Sequence, residues 1–440
     1  MVLIPSAGAQ TPAPAPTPIA TVSPEDALDS LVAAAVLLSP TVRATDARVD
    51  AARARRGPAG ARPDPMLMAG VQNVPVSDPG FADEMSMKMV GIEQTLPYPG
   101  KLPLRVSAAD AELRAAQAEA DAARLAVQRD LREAYYELAY LDRALANAGR
   151  SQAVVGSLIP AAEASYGAGS GAQRDVLGAR TAAAQIAVEA TALAEARRAA
   201  LARVNAALAR PSETPIDAPV IPASLARAAV PDSASRVEFV STALAARLGD
   251  SPLPPLDSLQ RLALAHNPML RAHEARIAAQ EAREALARRE HRPDVGVSLQ
   301  YGQRAGLPDM VTAVVSVPLP VQKGRRQDAL AAEAAAEVRA LHEEHAAEAN
   351  RLRAEVARLV SDAERDRAQL ALYARAIMPQ ARAATAAATA QYEAGRGEFG
   401  ALLESRTALL AFETQHERLL ADFAKSVAAL TETVGVEVIP

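Results

Sequence analysis

The chain repeats itself in order along most of its length, and this duplication is the strongest constraint on its fold. Short motifs of the first half return in the second half at collinear positions. The matched pairs are Leu28-Asp29-Ser30-Leu31 with Leu256-Asp257-Ser258-Leu259, Arg62-Pro63-Asp64 with Arg292-Pro293-Asp294, Leu96-Pro97 with Leu319-Pro320, and Tyr166–Gly171 with Tyr392–Gly397. Chance matches would not keep their order over such a stretch, so the chain contains two copies of one structural unit.

Each copy predicts the same order of elements, namely a helix, two short strands, a very long helix and a return helix. In the first copy these elements span 24–56, 66–74, 84–96, 104–166 and 172–209. In the second copy they span 256–289, 294–303, 310–319, 326–392 and 398–434. Ser23 and Pro24 suit the N-cap and first turn of the first helix. Pro and Gly separate the paired strands, which predicts a hairpin in each copy.

The predicted domain organisation follows from the duplication. Residues 24–210 form the first repeat, 256–435 the second, and 436–440 a tail. Residues 211–255 are rich in Pro and form a linker with one short helix at 235–248. Residues 1–23 combine a Pro-rich tether with a small-x-small pattern at Ala7 and Ala9. That pattern is either the end of a truncated secretory signal or a chance resemblance.

The long helices carry a heptad pattern. Leu131, Leu138 and Leu145 repeat every seven residues, and Leu141 and Ala148 repeat on a second position. Large and small residues alternate on these two positions, which is typical of a coiled-coil seam, and the aromatic content of 3% suits such narrow seams. About sixty helical residues span roughly 90 Å, so the sequence predicts projecting helical hairpins. Pro160 and Pro379 are expected to kink the long helices near their ends.

The short strands alternate in polarity. Met85, Met87 and Met89 share one face of the second strand, and Ser86 and Lys88 share the other. Such alternation is typical of a membrane β-barrel wall, and it equally fits a soluble sheet packed on helices. Four strands expose two edges, so closure through a symmetric homo-oligomer is expected. The methionines suit soft-metal ligands as well, but we interpret them as apolar residues that face lipid or packing.

Composition and motifs exclude several functions. The chain has no Cys, which excludes thiol chemistry. Its net charge of −5 disfavours nucleic-acid binding. No apolar run is long enough for a transmembrane helix. Gly100-Lys101 lacks the rest of a phosphate-binding loop. His342 and His345 are three residues apart on one helix, a spacing that suits a weak metal site or a solvated helix face. We therefore predict no enzymatic activity and no cofactor.

The duplicated unit, with a Tyr-x-x-Gly turn after each long helix, resembles the TolC-like outer-membrane factors. The stretch Glu93–Lys101 is similar to the strand-to-helix junction of the heavy-metal efflux branch of that family. The resemblance implies a mainly α fold with a small β contribution. Three chains would form a helical tunnel and a twelve-stranded outer-membrane β-barrel, with four strands from each chain. It also implies a homotrimer in outer-membrane lipid, a periplasmic membrane-fusion adaptor and a proton-driven inner-membrane pump.

The resemblance places functional residues at the two turns that follow the long helices. The tips that touch the adaptor would contain Tyr166, Gly169, Ser170 and Gly171 in one turn and Tyr392, Gly395, Arg396 and Gly397 in the other. The same glycines also fit ordinary helix-hairpin turns. Asp175 and Glu404 match acidic positions that narrow the tunnel entrance, whereas Gly178 and Ala401 depart from the acidic pattern. Without those companions, two solvated surface acids are the alternative to a gate.

The function predicted from these features is a passive export duct in the outer membrane. Heavy-metal cations are the leading cargo because of the Glu93–Lys101 stretch. Drug or solvent efflux and type I protein secretion are alternatives, because a duct imposes little chemistry on what passes through it. A soluble coiled-coil scaffold or a periplasmic adaptor is a more distant alternative, and an adaptor would carry a β-rich lipoyl-like segment that this sequence lacks.

Overall fold

A computed structural model describes residues 24–76, 83–217, 219–230, 253–304 and 306–439. The elements of the first half are α1 (Pro24–Leu38), α2 (Pro40–Gly60), β1 (Met66–Gln72), β2 (Met87–Leu96), α3 (Lys101–Gly167) and α4 (Gln173–Ala207), followed by the short α5 (Ala223–Ala229). The second half contains α6 (Leu256–His266), α7 (Pro268–Arg289), β3 (Val295–Arg304), β4 (Met310–Ser316), α8 (Gln327–Leu372), a π-helical turn (Tyr373–Ile377), α9 (Met378–Glu393) and α10 (Phe399–Val434). The same order of elements thus occurs in both halves.

The first helix of each copy is broken, whereas the sequence predicted one continuous helix. The break lies at Ser39 in the first half and at Asn267 in the second, and both residues have extended backbones. The following residue is Pro in both copies, and Pro disfavours helical geometry in the residue before it. The side chain of Asn267 caps the new helix by accepting a hydrogen bond of 3.0 Å from the Leu270 N–H.

Long helices dominate the structure. Helix α3 has 67 residues and is therefore about 100 Å long. It packs against α4, α7, α10 and α2. The middle part of α3 lies in the largest apolar core, together with residues of α4, α8 and α10. The predicted seam is largely buried, because Leu131, Leu138, Leu141 and Ala148 are at most 3% exposed. The second long helix differs from the prediction of continuous α-helix, since a π-helical turn interrupts it just before Pro379.

The four strands form one antiparallel sheet in the order β1-β2-β3-β4. Strands β2 and β3 join the two halves, with Leu96 opposite Val295 and Met87 opposite Arg304. Strands β1 and β4 are the open edges, and every residue of β4 is exposed. Met85, predicted to lie in the second strand, precedes it in a turn.

Two expectations lie outside the described residues: the signal and tether at 1–23 and the short helix at 235–248. Within the linker, the described helix is α5. Among the described helices, none alone is long and apolar enough to cross a membrane. The pair Ala27–Leu38 and Pro40–Gly60, bent by 50°, meets that test of length and composition only when both helices are taken together.

Candidate functional site

The two turns after the long helices have the same backbone geometry. In the first turn, the N–H groups of Ser170 and Gly171 both donate to the carbonyl of Ser165, at 3.0 and 2.9 Å. In the second turn, the N–H groups of Arg396 and Gly397 both donate to the carbonyl of Gln391, each at 2.9 Å. The chain therefore presents one reversal motif twice, and we call these turns the tips (residues 166–171 and 392–397).

Glycine is required at two places in each tip. Gly169 has φ = 74° and Gly395 has φ = 69°, a left-handed conformation that residues with a Cβ rarely adopt. Gly171 and Gly397 are needed for space instead. A Cβ on Gly171 would lie 2.9 Å from the Ser165 Cβ, and one on Gly397 would lie 2.8 Å from the Tyr392 backbone nitrogen.

The two tips lie side by side. Ala162, Val176, Ala179 and Phe399 form a small buried cluster that combines residues of both hairpins. Tyr392 packs edge-on against Phe399, with ring centroids 5.6 Å apart. The return helices meet where Gly178 faces Leu403. The eight predicted tip residues are thus brought together at one end of the molecule.

The tip residues differ in exposure. Tyr166, Gly169, Ser170, Gly395 and Arg396 are exposed and available for contact with another protein. Gly171, Gly397 and Tyr392 are partly buried and hold the turns together. The two tyrosines are therefore not equivalent, because Tyr166 is 50% exposed while Tyr392 packs on Phe399.

The two predicted gate carboxylates also differ. Asp175 lies in the first turn of α4, where its side chain accepts a hydrogen bond of 3.4 Å from the Ala172 N–H. This contact satisfies a free amide at the helix start, so Asp175 has a structural role as well as a charge. Glu404 lies further along α10 and is exposed. Neither companion position, Gly178 or Ala401, adds a charge.

The two candidate metal-binding histidines have different surroundings. His342 Nε2 lies 3.7 Å from a Glu281 carboxylate oxygen, and His345 Nδ1 is buried without a hydrogen-bond partner. Within the described ranges, no group of three or more His, Cys, Asp or Glu side chains is arranged to hold an ion.

The two faces of the sheet differ in chemistry. One face is largely aliphatic and exposed, and contains Leu67, Val71, Val90, Ile92, Val297, Leu299, Tyr301, Val311 and Val315. The other face combines Gly and polar residues with five of the nine methionines, Met66, Met68, Met87, Met89 and Met310. Met87 and Met89 are partly buried on this face, whereas Val90 and Ile92 are exposed on the other.

Sequence reasoning also missed a buried ionic cluster beneath the sheet. Lys101 is 1% exposed, and its Nζ lies 3.0 Å from Glu290 Oε2 and 2.9 Å from Asp294 Oδ1. The Tyr98 N–H donates to the same Asp294 oxygen at 2.8 Å. Burial opposes ionisation of Asp294, but this hydrogen bond and the Lys101 charge outweigh it and lower the pKa of the carboxyl. The cluster fixes the junction of β2 and α3 to the junction of α7 and β3.

The comparisons with known proteins agree with this architecture. The family model of the outer membrane efflux proteins matches residues 31–210 and 259–436, which together are most of the chain. The chain belongs to the outer membrane efflux protein family. It is accordingly an outer-membrane channel protein for efflux, in a family of channels that are not enzymes. A search of curated proteins gave no significant match.

Solved structures show the same fold. The outer-membrane channel OprN has a TM-score of 0.75 at 20% identity, over 94% of this chain and 91% of that one. VceC of Vibrio cholerae has a TM-score of 0.74 at 21% identity, over 93% and 96%. CusC, described in a study of transmembrane channel formation, has a TM-score of 0.75 at 15% identity, over 93% and 92%. These three scores are too similar to favour one branch of the family.

Proposed function

We propose that three copies of this chain form a passive duct in the outer membrane. The observation that carries the proposal is the open sheet, which has one exposed aliphatic face and two unpaired edges at β1 and β4. Unpaired edges are unstable in a membrane, and a closed ring of three sheets removes them. The aliphatic face then contacts lipid, and the face with Gly, polar residues and Met lines the pore.

The long helices continue this duct away from the sheet as a tunnel across the periplasm. The tips lie at the ends of α3 and of α9, far from the strands along helices of about 100 Å. We propose that the exposed tip residues dock on a periplasmic adaptor, and that a proton-driven inner-membrane pump supplies the energy. Each chain offers the same backbone turn twice, so a trimer offers six docking positions of two kinds, which differ in their exposed side chains.

We propose that Asp175 and Glu404 form the acidic part of the tunnel entrance. Threefold symmetry would turn each carboxylate into a ring, and rings of negative charge favour the passage of cations. Glu404 is the freer of the two side chains, since Asp175 also holds the start of α4. The uncharged Gly178 and Ala401 make this entrance less acidic than a gate with four charged positions per chain.

We infer that heavy-metal cations are the cargo. Two features support this choice: the Glu93–Lys101 stretch and the five methionines on the pore face of the sheet. Thioether sulfur is a ligand of soft metals such as Cu(I), and it stays uncharged at every pH. Drug or solvent efflux and type I secretion are the other candidate functions. A soluble scaffold or adaptor is incompatible with membership of the family.

The cargo can be tested in a strain that lacks this gene. We expect the deletion to increase sensitivity to copper, silver, zinc, cobalt or cadmium salts, and the wild-type gene to restore tolerance. Tolerance to apolar drugs and to bile salts should remain unchanged. A strain sensitive to drugs and indifferent to metals would contradict the cargo while leaving the channel intact.

A further inference from the structure

The contact between the two halves of the chain contains a strand pair and an ion pair between Lys101 and Asp294, which we call the clasp. Strand β2 pairs with β3, and directly below, Lys101 and the Tyr98 N–H bind Asp294. The first half thus contributes a strand-to-helix junction, and the second half contributes the residue that precedes its own first strand. A second strand-to-helix junction follows β4, and a second Asp precedes β1, so both parts of this contact occur again at the open edges of the sheet.

The hairpin registers show how the two copies correspond. In the first hairpin Met66 is opposite Glu93, and in the second Gly296 is opposite Ser316. Gly296 follows Met66 by 230 residues, the same offset that relates Asp294 to Asp64. Ser316 follows Glu93 by 223 residues, the offset that relates Leu319 to Leu96. Structure and sequence therefore give one alignment of the two copies.

This alignment identifies the free counterparts of the clasp. Asp64 corresponds to Asp294, and it is exposed, with no ion pair among the described residues. Position 324 corresponds to Lys101 and is Gly, but Lys323, Arg325 and Arg326 surround it. All three cations are exposed, and in the described parts of the chain none of them forms an ion pair. An acidic group on the β1 side and a basic turn on the β4 side therefore lack partners within one copy.

The proposed ring of three sheets brings β4 of one copy beside β1 of the next. We propose that the basic turn Lys323–Arg326 of the first copy then binds Asp64 of the second. This inference rests on the proposed trimer and specifies its interface. The register of β2 with β3, transferred by the same offsets, places Ser316 opposite Met68 of the second copy. It also places Val314 opposite Gly70 of that copy. Opposite charges and two exposed edge strands make the surfaces complementary.

The two clasps differ in burial. Lys101 is enclosed, whereas the basic turn is exposed and carries three positive charges. Screening by salt weakens exposed charge pairs much more than buried ones. The contact between copies is therefore the salt-sensitive one, and the contact within a copy is not.

Disulfide trapping tests the register, because the chain contains no native Cys. The double variant Met68→Cys with Ser316→Cys, oxidised in detergent, should migrate as covalent dimers and trimers on a non-reducing gel. The matched control is Met68→Cys with Val315→Cys, which places the second thiol on the other face of the sheet and should remain monomeric. The proposed interface is wrong if both variants cross-link equally, or if the first variant does not cross-link although light scattering shows a trimer. Either result leaves the channel proposal intact. A wild-type protein that is not a trimer overturns the channel proposal itself.

Charge exchange tests the clasp without Cys. Asp64→Lys should dissociate the trimer at a lower detergent concentration than wild type, with the largest difference at low salt, where the repulsion from the basic turn is least screened. Asp64→Glu should behave as wild type. Adding Lys323→Glu and Arg325→Glu to Asp64→Lys should recover much of the lost trimer. Failure of this recovery, with the single variants folded by circular dichroism, overturns the assignment of Asp64 to the basic turn.

Discussion

The Lys101 Nζ lies 2.9 Å from the Asp294 Oδ1 and is enclosed beneath the sheet, so one buried cation fastens the two halves of the chain together. Lys101→Met keeps much of the side-chain volume and removes the charge. Because it leaves Glu290 and Asp294 facing each other without a cation, we expect the free energy of unfolding to fall by about 1–3 kcal/mol. The exposed Arg48, changed to Met, is the control and should shift the thermal midpoint very little. An unchanged midpoint for both variants would show that the cluster does not stabilise the junction.

Acid should weaken the same junction. The folded protein lowers the pKa of Asp294 below its ordinary value of 3.8. The stabilisation is therefore complete above that value and is lost as the pH falls through the lower, folded pKa. Asp294→Asn should melt below wild type at about pH 6, and the two midpoints should converge as the pH approaches about 2. A difference between the two melting midpoints that stays constant from about pH 6 to about pH 2 would show that the ionised carboxylate does not stabilise the junction.

The start of α3 requires glycine. Gly100 has φ = 91°, and a Cβ there would lie far inside contact distance of the Arg289 guanidinium. We expect backbone strain alone to make Gly100→Ala less stable by about 1–2 kcal/mol. Displacement of the Arg289 side chain adds to this loss. Gly149 is the matched control, since it lies within α3 and its Cβ would meet nothing within 4 Å. Gly149→Ala should raise stability by about 0.5–1 kcal/mol, and the same sign for both variants would contradict the geometry.

The seam of the long helices should not tolerate charge. Leu138 is 0% exposed in the main core, and Leu138→Asp buries an unpaired carboxylate there. We expect a loss of roughly 3–5 kcal/mol and impaired assembly. Leu177 is 54% exposed, so Leu177→Asp should change stability by at most about 0.5 kcal/mol. Circular dichroism during heating, followed by light scattering, measures both effects, and normal melting and assembly of Leu138→Asp would refute the seam.

The tips should affect function without affecting stability. Arg396 is exposed, and the turn uses only its backbone N–H, so Arg396→Glu should leave folding and assembly intact. If the tip docks on an adaptor, this reversal should reduce efflux in the complemented deletion strain. Arg339→Glu, an exposed change within α8, is the control. Full efflux by both variants would indicate that Arg396 is not at the docking surface.

The order of elements could be predicted from the sequence because each signal was local and occurred twice. The ends of the return helices, for example, differ from the prediction by at most two residues, with α4 at Gln173–Ala207 and α10 at Phe399–Val434. The helix breaks at Ser39 and Asn267 were missed although a Pro follows each residue. Apolar periodicity on both sides of the break outweighed the Pro signal.

The remaining features depend on contacts between distant residues. Lys101 meets Glu290 and Asp294 only because β2 pairs with β3, and no local pattern records that pairing. The face that Met87 and Met89 share with Met66, Met68 and Met310 likewise follows from the pairing of distant strands. At the tips, the glycines indicated the turns directly, whereas the contact between Tyr392 and Phe399 required the structure.

The most direct test of the central claim is the mass and location of the native assembly. The chain should be produced with a secretory signal peptide, and the inner and outer membranes separated on a density gradient. Protein extracted from the outer-membrane fraction should give a light-scattering mass of three 45.9 kDa chains after correction for detergent. A monomer or dimer, or a protein recovered outside the outer membrane, would contradict the account of a trimeric outer-membrane duct.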